Sequence, residues 1–568
     1  MTSFELPIYY NKGKKILNPQ IDNDLELSVI YNNVFSSKNK FGNLTQDMWK
    51  QNYTNDKKYL KDTQKLLKNN FLINTENNSN EVLALWNKIN INDKLSNNDS
   101  KKDDDIGFHA KYQYIEWEKL YFLNKNSEIL QLMSIYNLSS PIISLCIPIF
   151  FLLIPFFILR VRGTNLTVKN YYDILLLVFQ KHQIGQLFTL SSATWDKRVY
   201  ILISFIFYIL QIYQNVRSCI SFYKNMKLIH HELFEIKQHI NNTLQYYDLF
   251  DKNCAKLNTY KKFVANMNIH KLKFLYVKRE LDTILPYNIS LNNFKQIGKV
   301  MKLYYELYQC NELKNSLNYS FYFCGYIDNL CCLQNKINND IIGKCIFTKN
   351  KTTFKNAFYP MIKDKPIKNT YKLDKNILIT GPNAAGKTTI IKTTLFNIII
   401  SQQIGYGFYD KACLHLYDFI HSYINIPDTS GRDSLFQAEA RRCKNILTTI
   451  ENNKDKRHFC VFDELYSGTN PYEAIGSAVS FLKYLNNYSN VCFIITTHFI
   501  DLCNRLDNNK NIINCNMKVN TNDENFEYKY KIIKGISKIK GGVKVLTDLD
   551  YPQDIIINTK KIINELII

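Results

Sequence analysis

Among fourteen cysteines the chain has no C-x-x-C pair, and the adjacent Cys331 and Cys332 have no histidine pair at zinc-finger distance. That spacing excludes a zinc finger or ribbon, so the thiols are expected to be reduced, as in an intracellular compartment. The first thirty residues, with Glu5 and Asp22 and no apolar core, lack the pattern of a secretory signal. Acidic residues are scarce: 50 Asp and Glu stand against 72 Lys and Arg, a formal charge of +22 with a pI near 9.2. Such a balance suits a phosphate-rich partner, nucleic acid or an anionic membrane surface. The lysines are mixed with abundant asparagine and isoleucine, as an AT-rich genome also dictates, and both readings stand. Apolar residues are not lacking: at 46% of 568 residues they exclude a disordered chain and can fill two to four domains.

Along the chain, Leu60, Leu66 and Leu67 among the charges of residues 44–69 predict an amphipathic helix. Thr75 to Asp105 is rich in Asn, Ser, Lys and Asp and reads as a linker, with one apolar island at Val82–Trp86. Pro141–Leu159 and Val199–Val216 run nineteen and eighteen residues without a charge, near the length that crosses a bilayer. They predict a hydrophobic helical hairpin, in a membrane or as a pair of buried core helices. The stretch between them carries Arg160, Arg162, Lys169, Lys181, Lys197 and Arg198, a basic loop that prefers the cytoplasmic side. Two full spans would then put this loop and the C-terminal part on opposite sides, unless the hairpin is re-entrant.

Residues 217–345 carry helical periodicity, with Ile297, Val300, Tyr304 and Leu307 on one face. From Ile346 short apolar runs alternate with helical stretches, and Asn376–Thr380, Phe459–Phe462 and Val491–Thr496 read as buried strands of an α/β sheet. The expected domains are therefore an N-terminal helical region and linker over 1–106, a hairpin region over 107–216 with candidate spans 141–159 and 199–216, a helical core over 217–345, and an α/β domain over 346–568.

The α/β part carries the chemistry. Gly381 to Thr388 matches G-x-x-x-x-G-K-[ST] directly after one predicted strand and before a helical run to Ile404. Phosphate oxygens need many donors at short range. Backbone amides of Gly381, Pro382, Asn383, Ala384, Ala385, Gly386 and Thr389 are placed to wrap them, with Pro382 contributing shape only, while Lys387 reaches the terminal phosphates and Thr388 is a Mg²⁺ ligand. FCVFDE ends a strand on Asp463 and Glu464: the aspartate to hold Mg²⁺, the glutamate to polarise an attacking water. FIITTH ends another strand at His498, where an imidazole could meet the γ-phosphate or its water; alone, such a histidine is more often a surface residue.

GPNAAGKTT, including Asn383, resembles the P-loop of the MutS family of DNA mismatch-repair ATPases. DELYSGTNPYE is similar to that family's Walker B strand and following loop, with Gly468, Thr469 and Tyr472 matching, and TTH is similar to its switch histidine. Ser430 to Arg442 resembles the signature segment, and Tyr528 to Leu546 resembles the closing strand, turn and helix, with Gly541 and Gly542 where a Tyr-Gly pair is usual. Over residues 350 to 560 the resemblance implies an α/β P-loop NTPase of the ABC type, preceded here by a helical core or lever domain and the hydrophobic hairpin. It implies ATP and Mg²⁺ as cofactors, Glu464 and His498 as catalytic residues, and Ser434 reaching the γ-phosphate of a neighbouring subunit, hence a homodimer with composite sites. Mismatched or branched DNA is the implied partner.

The departures from the family are specific. Its mismatch readers carry an N-terminal Phe-x-Glu wedge, whereas the Phe-x-Glu of this chain is Phe462-Asp463-Glu464, inside the Walker B strand. This argues against direct mismatch recognition. The family's adenine-stacking aromatic falls near Pro366 and Ile367, so the base must be held differently, or by Phe358 or Tyr359. A membrane-anchored ABC-type ATPase acting on a protein or lipid partner is the alternative. Against a transporter, SGRDSLFQAE stands where an LSGGQ-like helix start is required.

Overall fold

In the computed structural model the described residues are 4–37, 39–69, 81–87, 108–161, 168–181, 183–188, 190–191, 194–288, 290–349, 351–424, 426, 434–522, 525–539 and 541–565. They fall into two compact units. One comprises residues 1–77, 245–271 and 318–568, the other 78–244 and 272–317.

The first unit is built on three sheets. β1 (Lys14–Ile16) and β2 (Asn52–Thr54) pair antiparallel. β3 (Gly343–Phe347), β4 (Thr353–Ala357), β5 (Asn369–Lys372), β7 (Tyr406–Gly407) and β8 (Lys411–Leu414) form a mixed sheet in the order β5-β4-β8-β3-β7. β6 (Asn376–Thr380), β9 (Phe419–Tyr423), β10 (His458–Asp463), β11 (Val491–Thr496), β12 (Ile512–Asn522) and β13 (Asn525–Lys534) form the main sheet, ordered β13-β12-β6-β11-β10-β9. Its pairs are parallel except the closing β12–β13 hairpin. β6, β10 and β11 are near-continuous apolar runs because a parallel strand is covered on both faces, and they coincide with the three strands expected from the sequence. On one face, Cys443, Ile446, Ile450, Ala474, Leu482 and Leu502 from the helices Leu435–Asn452, Pro471–Asn486 and Ile500–Leu506 close a core against Phe462, Phe493 and Ile495.

The helix Lys387–Ile404 is buried nearly all round, including its polar Gln402 and Gln403. A buried amide without partners would cost a few kcal/mol, and the N-terminal segment supplies most of them. Gln402 donates to the carbonyls of Thr54 and Tyr417, Gln403 donates to those of Trp49 and Asn52, and the Tyr31 hydroxyl donates to Gln403 at 2.6 Å. Residues 4–69 are thus a layer of the same fold. Within them the single amphipathic helix expected over 44–69 is replaced by two helices, Lys40–Trp49 and Lys57–Leu66, separated by β2. The break occurs because residues 52–54 pair with β1, and Asp56 then caps the next helix through the amides of Lys58 and Tyr59.

The second unit is helical. Helix Ser127–Val161 contains Pro148 and Pro155, and helix Trp195–Cys254 runs for 60 residues, so positions 216 and 217, where a boundary was expected, are consecutive residues of one helix. Among the described residues, two helices are long and apolar enough to cross a membrane by length and composition, Ser127–Cys146 and Trp195–Cys254, and their most apolar windows are 22% and 6% buried. Over Val199–Val216 the side chains are therefore mostly exposed and not those of a buried core helix, whereas most side chains of Pro141–Leu159 lie outside those described. Gly298 lets helix Ile297–Gln309 approach closely: a Cβ there would sit 2.1 Å from the Ser127 carbonyl. Most of the linker expected over 75–105 lies outside the described residues. Its apolar island is helical over 81–87, with Val82 and Trp86 buried.

Candidate functional site

The C-terminal ends of β6, β10 and β11 meet at one edge of the main sheet, and each delivers one of the expected motifs there. After β6 the chain turns through Ala384 at φ +61° and Gly386 at φ +90°, the latter capping the 18-residue helix that begins at Lys387. Left-handed φ at Gly386 carries no Cβ penalty, and the turn leaves the helix's first amides facing outward as anion donors.

Lys387 is buried and its ammonium donates to the carbonyls of Gly381 at 3.0 Å and Pro382 at 3.2 Å. It also lies 3.0 Å from His498 Nε2, and that nitrogen is 2.9 Å from Glu464 Oε1. One nitrogen cannot serve both neighbours at once. Protonated, Nε2 donates to Glu464; unprotonated, it accepts from Lys387. The hydrogen bond from His498 holds the Glu464 carboxyl below the ordinary glutamate range against the opposing effect of burial, with the His498 and Lys387 charges adding to it. Burial pushes the Lys387 ammonium below the ordinary lysine range, and the charges of Glu464 and Asp463 oppose that shift. Glu464 itself sits at φ +52°, a sparsely populated conformation for a side-chain-bearing residue.

Asp463 is aimed by two hydroxyls: Thr388 Oγ1 donates to its Oδ2 at 2.8 Å, and Thr496 Oγ1 donates to its Oδ1. The β10–β11 register places Asp463 opposite Thr496, and the Glu464 amide donates to the Thr496 carbonyl at 3.1 Å. Thr388, Asp463, Glu464, Lys387 and His498 therefore form one connected group. Thr388 and Asp463 together are an oxygen-donor pair of the kind Mg²⁺ prefers.

Two cavities flank the turn. One of about 250 Å³ is lined by Gly381, Pro382, Asn383, Thr497, His498 and Gly541. The other, about 390 Å³, lies beside Gly386 and Thr389 and is walled by Tyr359, Ile367, Met517 and Tyr530. Tyr359 faces this second cavity, whereas the Phe358 ring packs edge-on against Phe408. Tyr530, on the closing hairpin, escaped the sequence reading because only the β12–β13 pairing brings it to the turn. A Cβ on Gly386 would come within 3.1 Å of its ring.

Ser434 caps the Leu435–Asn452 helix, accepting from the Gln437 amide at 3.3 Å while Gln437 Oε1 accepts from the Ser434 amide. It is exposed, and among the described residues it makes no hydrogen bond to the Lys387–Glu464 group. Residues 430–433 of the expected signature segment lie outside the described residues. The cysteines are free thiols among the described residues.

The family model for MutS domain V matches residues 377–567. Proteins named DNA mismatch repair protein MutS are similar to the chain: that of Fusobacterium nucleatum is 27% identical over 47% of this chain and 31% of its own length. The Halothermothrix orenii protein is 28% identical over 41% and 25%, and the Flavobacterium johnsoniae protein 24% identical over 58% and 39%. Residues 377–567 are a divergent MutS domain V. The MutS match begins at β6 and takes in the turn, the Walker B strand, Ser434 and the closing hairpin. The chain spans between about a quarter and two-fifths of the length of these relatives.

Proposed function

We propose that residues 346–568 are a Mg²⁺-dependent ATPase of the P-loop, ABC-type class that works in a homodimer and couples ATP turnover to a change in the helical region and its DNA partner. The observation that carries the reading is the connected group Thr388–Asp463 and Lys387–His498–Glu464 at the ends of three parallel strands. Amides from Gly381 to Thr389 surround the phosphates, and Lys387 exchanges its carbonyl partners and His498 for the terminal phosphate oxygens. Mg²⁺ held by Thr388 and Asp463 would neutralise phosphate charge. Glu464, kept ionised by its surroundings, accepts the proton of the attacking water, and His498 holds that carboxylate and the γ-phosphate in register. The base occupies the cavity beside Gly386, against Tyr530 and Tyr359. Ser434 completes the site of the other subunit, consistent with its exposure and its distance from hydrogen-bonding contact with its own site.

Mismatched or branched DNA is the partner that the MutS similarity and the +22 charge favour. The missing wedge motif argues that the chain responds to DNA without reading a mispair directly. The test is steady-state ATP turnover, alone and with homoduplex, mismatched and branched DNA at low and moderate salt. Lys387→Ala should abolish ATP binding; Glu464→Gln should retain binding and lose turnover by at least a hundredfold. Unchanged ATP affinity in Lys387→Ala would sink the nucleotide reading.

A second reading rests on the exposed apolar windows of the helical unit. A helix apolar on all sides is normally covered by protein or lipid, and Val199, Leu202, Ile206, Phe207 and Leu210 are each about half exposed or more. In this reading residues 141–216 anchor an intracellular ABC-type ATPase acting on a protein or lipid partner. Flotation with anionic vesicles that survives high salt supports it, and a chain that stays at the bottom of the gradient removes it.

A further inference from the structure

The loop that follows Glu464 is bound directly to the helix that carries Ser434. The buried carboxylate of Glu439 is the fastening: its Oε1 accepts from the Ser467 amide at 3.1 Å and from the Ser467 hydroxyl at 2.9 Å, and its Oε2 accepts from the Gly468 amide at 3.2 Å. A charge excluded from water is tolerated only when its lone pairs are met by donors, and here two consecutive backbone amides and a hydroxyl meet them. Gly468 is required by close approach. A Cβ there would lie 2.7 Å from Leu435 Cγ and 2.9 Å from the Phe436 amide nitrogen, both in the first turn after Ser434. Phe436 also packs on Tyr466, with ring centroids 5.7 Å apart. Tyr466 and Glu464 both hold left-handed backbone, and farther along the helix Arg442 is paired with buried Asp24 at 2.9 Å.

We propose that Glu439 is a positioning residue that makes the Ser434 helix and the Glu464 loop one rigid piece, so that each subunit's own Glu464 is set by whether its Ser434 is engaged at the neighbouring site. The inference rests on the composite-site reading above and adds a direction to it. Nucleotide at one site draws in Ser434 of the opposite subunit, and Glu439 carries that displacement five residues along the helix and across to Ser467, three residues beyond Glu464. The consequence is positive cooperativity in turnover. Occupancy of one site raises the catalytic rate at the other, without any requirement that it change affinity there.

The test uses the full chain. Glu439→Gln keeps the shape but turns an amide toward the Gly468 N–H and removes the charge, and Ser467→Ala deletes a single donor while leaving the carboxylate in place. ATP affinity is measured with the fluorescent analogue mant-ATP, and turnover is followed against ATP concentration. The wild type is expected to give a Hill coefficient above one. In Glu439→Gln the coefficient should fall to one and kcat at least tenfold, with mant-ATP affinity within about twofold; Ser467→Ala should fall between. A Glu439→Gln protein with wild-type kcat and Hill coefficient overturns the proposal. If that variant loses its fold, Ser467→Ala decides: unchanged cooperativity there overturns the proposal, and reduced cooperativity at unchanged affinity upholds it. Wild-type chain that binds mant-ATP but never turns over ATP would instead remove the ATPase reading on which the proposal stands.

Discussion

Replacing Asp24 by Asn should loosen the Leu435–Asn452 helix although Asp24 lies more than 400 residues away in sequence. Its side chain is 3% exposed and its Oδ2 accepts from Arg442 at 2.9 Å and from the Ser422 hydroxyl. Arg442, 13% exposed, also donates to the Ser422 carbonyl through Nε at 3.0 Å and through its terminal nitrogen at 2.7 Å. Removing one partner of such a buried pair costs roughly 3–5 kcal/mol, because it leaves an uncompensated charge. Asparagine keeps an acceptor and the Ser422 carbonyl keeps both its donors, so the lower end, about 3 kcal/mol, is expected. At about 1.4 kcal/mol per factor of ten, amides of residues 435–452 should exchange with solvent about a hundredfold faster. Hydrogen exchange read by mass spectrometry on intact chain measures this. The double variant Asp24→Asn/Arg442→Met, which removes the charge as well as its counter-ion, should recover most of the protection. Unchanged exchange in Asp24→Asn, or losses that simply add in the double variant, would refute the argument.

Tyr530→Ala should weaken ATP binding about tenfold, the lower part of the roughly 1–3 kcal/mol that an aromatic ring contributes by stacking on a base, with kcat at saturation nearly unchanged; titration with mant-ATP checks it, and equal affinity would move the base out of the cavity beside Gly386. For pH, Lys387 has its folded pKa depressed by burial. Between that lowered value and the ordinary lysine value the unfolded chain binds the extra proton, so this group's contribution to the stability of nucleotide-free protein rises with pH across that window. Denaturant titrations in alkaline buffers should show the rise, and Lys387→Met should remove it.

The strands, the P-loop turn and the two acids were legible from the sequence because each rests on local pattern. Apolar runs buried on both faces, Gly386 at a left-handed turn and a hydroxyl following Lys387 need no distant partner to be recognised. The break in residues 44–69 was not legible, since the competing term is pairing of Asn52–Thr54 with Lys14–Ile16, a contact made across nearly forty residues. Glu439, Tyr530 and the Asp24–Arg442 pair have no local signature at all. A charged residue five places after a helix cap, or a tyrosine in a β-hairpin, looks like any solvated side chain until the fold buries it.

What the sequence by itself determined is therefore local: the three buried strands, the glycine turn before Lys387, and the candidate residues that each strand end delivers. Only the tertiary structure decided that residues 4–69 are a layer over the Lys387–Ile404 helix, that His498 stands between Lys387 and Glu464, and that Glu439 fastens one motif to another. The reason is physical. Phosphate binding is set by consecutive backbone amides, whereas burial, and with it the value of a charge or an amide, is a property of what the rest of the chain packs against.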